Sequence, residues 1–145
     1  MKKLLDLYRK HREIVNYLIF GGLTTLVSLA TYALFVDLCG LPILAGKALS
    51  WVCAVTFAFV TNKLWVFFSQ GTDRRTLLRE ALSFFASRAA TGVIELAGLP
   101  LLMKLGLDQA WLGVEGFAAN VVVTVVVIIL NYVLSKFLVF RKKEH

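Results

Sequence analysis

Asn120–Phe140 reads NVVVTVVVIILNYVLSKFLVF, and Lys136 is its only charged residue. A helix rising ~1.5 Å per residue needs ~20 such residues to cross ~30 Å of hydrocarbon. Worked outward, this run extends back to Trp111, and three others match it: Val15–Leu38, Ile43–Phe68 and Ala81–Met103. Backbone in lipid must satisfy its own hydrogen bonds, which favours helices for all four. The expected fold is an all-α membrane protein in a single transmembrane domain, residues 1–145, with four spans at about 15–38, 43–68, 81–103 and 111–140. Residues 1–13 form a short amphipathic lead-in, on which Leu4, Leu5 and Tyr8 can share a face and rest on the inner leaflet.

Composition agrees, with 59% hydrophobic and only 17% charged residues and a mean hydropathy of +0.76. The formal charge of +7 is a topology signal and does not indicate nucleic-acid binding. Lys2, Lys3, Arg9, Lys10 and Arg12 precede the first span, and Lys63, Arg74, Arg75 and Arg79 surround the central connection. Lys136, Arg141, Lys142 and Lys143 close the chain, whereas Cys39–Pro42 and Lys104–Ala110 hold only Lys104. The positive-inside bias then places both termini and the central loop in the cytoplasm, with anionic lipid headgroups as natural partners. Cys39 and Cys53 lack ligand spacing and read as small packing residues. Gly21, Gly22, Gly92 and Gly98 read as close-packing positions between helices.

The second and fourth spans end alike: FVTNKLWVF at Phe59–Phe67 and YVLSKFLVF at Tyr132–Phe140. Asn62 falls over Ser135, Lys63 over Lys136, Val66 over Val139 and Phe67 over Phe140. The first and third spans overlay more faintly, Tyr17–Cys39 on Phe84–Gly106, which sets Gly21 over Arg88, Thr24 over Thr91 and Ser28 over Glu95. Aromatic and basic residues mark any cytoplasmic helix exit, but the matching order favours a two-helix hairpin written twice in tandem. Both copies then share one orientation, a parallel repeat.

Asn16-Tyr17 leading into Phe20-Gly21-Gly22, Lys47-Ala48-Leu49-Ser50, and the two exits at Asn62–Phe67 and Asn131–Phe140 together resemble the GtrA-like family of small four-span membrane proteins. The resemblance runs from about Ile14 to Phe140, and the paired exit is its most specific element. It implies translocation of a polyprenyl-phosphate-linked sugar across the bacterial inner membrane, beside a membrane glycosyltransferase that makes the lipid-linked sugar. The second exit departs from the first in having Ser135 where the first has Asn62.

Polar groups deep in a span are costly and are therefore functional candidates. Arg88 lies about seven residues, or ~10 Å, inside the third span, and Glu95 follows seven residues later. At ~100° per residue both project from one face. Asn120, Thr124, Asn131 and Ser135, spaced by four, seven and four residues, share one side of the fourth span. On the second span Lys47 lies near the outer end and Asn62 near the inner end.

For a phosphate-linked sugar, Arg88, Lys47, Lys63 and Lys136 are candidate phosphate or headgroup ligands, with Arg favoured where bidentate geometry helps. Glu95, Asn120, Asn62, Thr124, Asn131 and Glu115 are candidates for sugar hydroxyls or a polar pathway. Structural readings stand beside these. Arg88 and Glu95 can neutralise each other, the fourth-span stripe can be interhelical glue, Lys63 and Lys136 can snorkel to headgroups, and Trp65 and Trp111 suit interfacial anchors.

No P-loop, nucleophile elbow, metal cluster or paired carboxylates is present, so neither enzyme, metal nor cofactor is expected. Four helices make a slim bundle, which implies a homo-oligomer or a groove open to lipid. The alternatives are a non-transporting anchor or accessory subunit of the glycosyltransferase and a proton-coupled exporter of cations. Arg88 on the face of Glu95 argues against the exporter.

Overall fold

The computed structural model describes residues 1–110, 113 and 116–141. Every regular element among them is helical. The chain divides into two compact units, Met1–Thr72 and Asp73–His145. Among the described residues four helices are long and apolar enough to cross a membrane.

In the first unit, α1 (Lys2–Ala33) runs into a π-helical turn at Leu34–Leu38, and α2 (Ile43–Thr61) runs into another at Asn62–Val66. His11 breaks the α1 helix with φ −115° and ψ 20°, so the charged lead-in bends away from the apolar segment. Each π turn closes with an i→i+5 bond, Cys39 N–H to Leu34 O at 3.0 Å and Phe67 N–H to Asn62 O at 2.9 Å. A longer bond then reverses the chain, Leu41 N–H to Phe35 O at 3.0 Å and Ser69 N–H to Lys63 O at 2.9 Å.

In the second unit, α3 (Arg74–Lys104) is capped by Asp73, whose carboxylate accepts from the Thr76 N–H at 3.0 Å. The Thr76 side chain, then its backbone N–H, holds the Asp73 carboxyl below its usual range. Pro100 lies inside α3 and removes the amide that would bond the Leu96 carbonyl. The last long helix, α4 (Phe117–Leu134), starts after Gly116 at φ 66° and ends in a π turn at Ser135–Val139. The described part of the fourth span is helical from Phe117; Trp111, where the apolar run begins, lies outside the described residues. Gly116 in the left-handed region is a natural break, and Met103 Sδ would lie 2.9 Å from any Cβ added there.

Packing follows one pattern in each unit. Gly46, Ser50, Ala54, Ala58, Asn62 and Val66 are buried in the first; Ala119, Val123, Val127, Asn131, Ser135 and Val139 are buried in the second. Steps of four turn ~400°, so each contact line rotates ~40° per step around its helix, as crossing helices require. The wider π turn then brings Val66-Phe67 and Val139-Phe140 back to the buried side. An aromatic pair lies at that end of each unit: Tyr17 with Phe67 at 6.4 Å and 53°, Phe84 with Phe140 at 5.9 Å and 48°.

The glycine expectation needs correction. A Cβ at Gly21, Gly22 or Gly92 would meet nothing within 4 Å, while Gly98 faces Val123 at 3.4 Å. The tight approach is at Gly46, where a Cβ would collide with Val36. Cys39 is exposed and Cys53 half-buried, so only the latter takes part in packing.

Candidate functional site

Arg88 lies near the middle of α3, half-buried. Its guanidinium sits 4.9 Å over the ring of Phe84, which is fully buried and packs in turn on Phe140. The cation is thus held by its flat face, and its N–H edges stay available to an anion. Among the described residues Arg88 has no carboxylate partner. Glu95, two turns on, is exposed and likewise makes no ion pair among them. The expected shared face of Arg88 and Glu95 therefore does not become a neutralised pair.

One turn beyond Arg88, Thr91 is 2% exposed. Its hydroxyl lies 2.7 Å from Asn131 Oδ1, and 3.1 Å and 3.2 Å from the Ser87 and Arg88 carbonyls. A hydroxyl has one proton, so these acceptors are alternatives. This polar bridge ties α3 to α4 directly above the cation.

The four-residue stripe of α4 divides. Asn131 and Ser135 are buried, but Asn120 and Thr124 are exposed. Shared azimuth on one helix is not shared burial, because the contact line rotates along it. Lys47 on α2 is exposed for the same reason, while Asn62 is buried on the ladder. Asn62 donates to the Ala58 carbonyl at 2.7 Å, and its Oδ1 is buried with no hydrogen-bond partner among the described residues. An orphaned buried acceptor is costly and marks a position worth testing.

The two exit lysines differ. Lys63 is 6% exposed and donates to Ser69 Oγ at 3.2 Å, so its stem is buried and its ammonium reaches the connection past the second π turn. Lys136 is half-exposed, with Nζ 3.4 Å from Tyr132 Oη and against the Tyr132 and Phe137 rings. Glu115 and Trp111 lie outside the described residues. Glu80, 3% exposed, was not expected: it precedes the third apolar run, where an acid reads as loop. Also unforeseen was a cleft in the first unit lined by Tyr8, Arg12, Asn16, Phe20, Trp65 and Phe68. No cluster of potential metal ligands occurs among the described residues.

Known proteins supply a context for this geometry. Residues 16–140 match the family described as GtrA/DPMS, transmembrane domain. The chain is 34% identical over 133 residues to the cell wall teichoic acid glycosylation protein GtcA of Listeria innocua, covering 91% of this chain and 87% of that one. Its identity to the protein of the same name from Listeria monocytogenes is 33%, with the same coverage. The uncharacterized membrane protein YwcD of Bacillus subtilis is 32% identical over 128 residues, covering 88% and 96% of the two chains.

Proposed function

The chain belongs to the GtrA/DPMS transmembrane-domain family, a multi-pass membrane protein, and on that premise we propose that it translocates a polyprenyl-phosphate-linked monosaccharide across the bacterial inner membrane. The observation that carries this reading is the half-buried Arg88, seated on Phe84 in the middle of α3. A mid-span cation needs an anion to offset its insertion cost of several kcal/mol, and a lipid phosphate supplies one without leaving the bilayer. Thr91 and Asn131 hold the helices beside it, and Glu95, about one helical turn past Thr91–Gly92, offers a carboxylate for sugar hydroxyls. The relatives named for teichoic acid glycosylation support a role in surface glycosylation.

The proposed topology has both termini in the cytoplasm and the two units as a tandem, parallel duplication. The matching buried ladders and aromatic pairs support that duplication. Each unit is a slim hairpin, so the headgroup travels along a lipid-open groove or at the interface of a homo-oligomer, and a glycosyltransferase supplies the lipid. The wide exposure of apolar residues such as Leu26, Leu29, Val93 and Leu96 also suits a second reading, an accessory subunit docked on that glycosyltransferase.

Labelling of α3 by a photoactivatable prenyl-phosphate glucose, with the purified protein in nanodiscs, tests the phosphate role. Arg88→Ala is expected to abolish the labelling of α3 and Arg88→Lys to retain part of it. Undiminished labelling of α3 in folded Arg88→Ala would overturn the assignment.

A further inference from the structure

The cleft in the first unit, of about 390 Å³, contains a set of features that the proposed pathway does not use. Phe20 and Trp65 stack at 5.4 Å and 13°. Tyr8 Oη donates to Asn16 Oδ1 at 3.1 Å across the His11 bend, and Asn16 Nδ2 donates to the Trp65 carbonyl at 3.0 Å. These bonds fix the lead-in against the end of α2. Arg12 completes the wall, its guanidinium 4.5 Å over the Phe68 ring.

Phe68 carries an anomaly. Its φ is 50°, and it is the only non-glycine with positive φ among the described residues. It occupies the residue that follows the π turn and its cap, and after the first π turn the corresponding residue is Gly40 at φ 66°. A β-carbon there costs about 1–2 kcal/mol, and strain of this kind persists where function requires it. The fold accepts glycine at this position, yet the chain places an aromatic ring there, under a cation. With Phe68 covering its face, Arg12 keeps its N–H edges for an anion, and its exposure leaves them reachable. Trp65, half exposed, presents an apolar ring surface beside it.

We infer that this cleft is a docking site for the headgroup of a phosphate-linked glycolipid at the membrane boundary, with the phosphate on Arg12 and the sugar against Trp65. It rests on the proposed function for its ligand class, but its residues all belong to the first unit, and none of them is among the groups assigned to the phosphate above.

The experiment uses the full chain in nanodiscs with Trp51→Phe and Trp111→Phe, leaving Trp65 as the sole reporter. Prenyl-phosphate glucose is expected to give a saturable change in Trp65 emission. Arg12→Gln is expected to weaken it on the order of ten- to hundred-fold, the value of a charged hydrogen bond. Phe68→Gly relieves the backbone strain, so it is expected to remain folded by circular dichroism while also binding more weakly. Arg88→Ala is expected to leave the Trp65 response in place. Wild-type affinity in folded Arg12→Gln and Phe68→Gly would overturn the site. An equal response to phosphatidylglycerol would overturn its specificity for a glycosylated lipid, and an equal response to glucose 1-phosphate would overturn the lipid as its source. Failure of translocation by the wild type, with the Trp65 response intact, would remove the transport reading and leave the site standing.

Discussion

The bridge between Thr91 and Asn131 permits a quantitative test of how the second unit is held. Both residues are buried, at 2% and 7% exposure, and their oxygens lie 2.7 Å apart. Thr91→Val keeps the shape of the side chain but removes the hydroxyl, leaving the Asn131 amide buried without that partner. Asn131→Leu does the converse, although Thr91 can still turn to the Ser87 or Arg88 carbonyl. The first change is therefore expected to cost more, about 1–3 kcal/mol for a stranded buried group, and the second less.

In the double variant no polar group is stranded at this contact, so its loss should be smaller than the sum of the single losses. Interhelical hydrogen bonds in membranes couple by ~0.6 kcal/mol on average and up to ~1.7. A short, fully buried bond should lie in the upper part of that range. Equilibrium unfolding of wild type, both singles and the double in mixed micelles, followed by far-UV circular dichroism, gives the four free energies. Strict additivity of the two losses would refute the bridge as a coupling between α3 and α4.

Other substitutions separate the remaining parts of the account. Gly46→Ala forces its Cβ into Val36 and is expected to destabilise by about 1–3 kcal/mol, as overpacking does; Gly92→Ala, with open space around it, is expected to be neutral or mildly stabilising in the same unfolding assay. Glu95→Gln is expected to impair sugar-dependent discrimination between prenyl-phosphate glucose and prenyl phosphate, while binding of prenyl phosphate alone persists; equal loss of both would assign Glu95 to the fold. The Asp73 cap depends on pH. Its carboxyl is lowered from 3.8 by Thr76, so the stabilisation is fully present above 3.8 and disappears as pH falls through the lower folded value. Faster hydrogen exchange at the start of α3 in that acid range checks this, and Asp73→Asn should remove the pH dependence.

How much of this was legible in the sequence depends on the length scale of the signal. The uninterrupted apolar runs revealed the helices, because hydrocarbon thickness sets a minimum length that few soluble segments reach. The likeness of NKLWVF to SKFLVF drew attention to two segments that both form π turns, although π geometry itself has no simple sequence signature. Boundaries were less legible: nothing in the apolar run marks Gly116 as the left-handed residue that precedes α4.

Side-chain environment was hardest to read. Helical periodicity places Asn120 and Asn131 on one azimuth, yet helix crossing buries Asn131 and exposes Asn120. Gly46 escaped notice because a lone glycine has no pattern, whereas the conspicuous Gly21-Gly22 pair meets no close neighbour. Arg88 and Glu95 were identified because charge in a span is conspicuous. Arg12 and Phe68 were not, since a basic residue before a span and an aromatic after one both read as interfacial markers. Only the backbone angle of Phe68 and the stacking of Trp65 distinguish them from that background.

The most direct test of the central claim is reconstitution of the pure protein in liposomes that carry a prenyl-phosphate sugar in one leaflet, with an impermeant reagent following its appearance in the other. The account predicts protein-dependent exchange of the sugar between leaflets, abolished by Arg88→Ala and partly kept by Arg88→Lys. Absence of exchange by folded wild-type protein that binds the lipid would contradict translocation by this chain alone and leave the accessory subunit as its role.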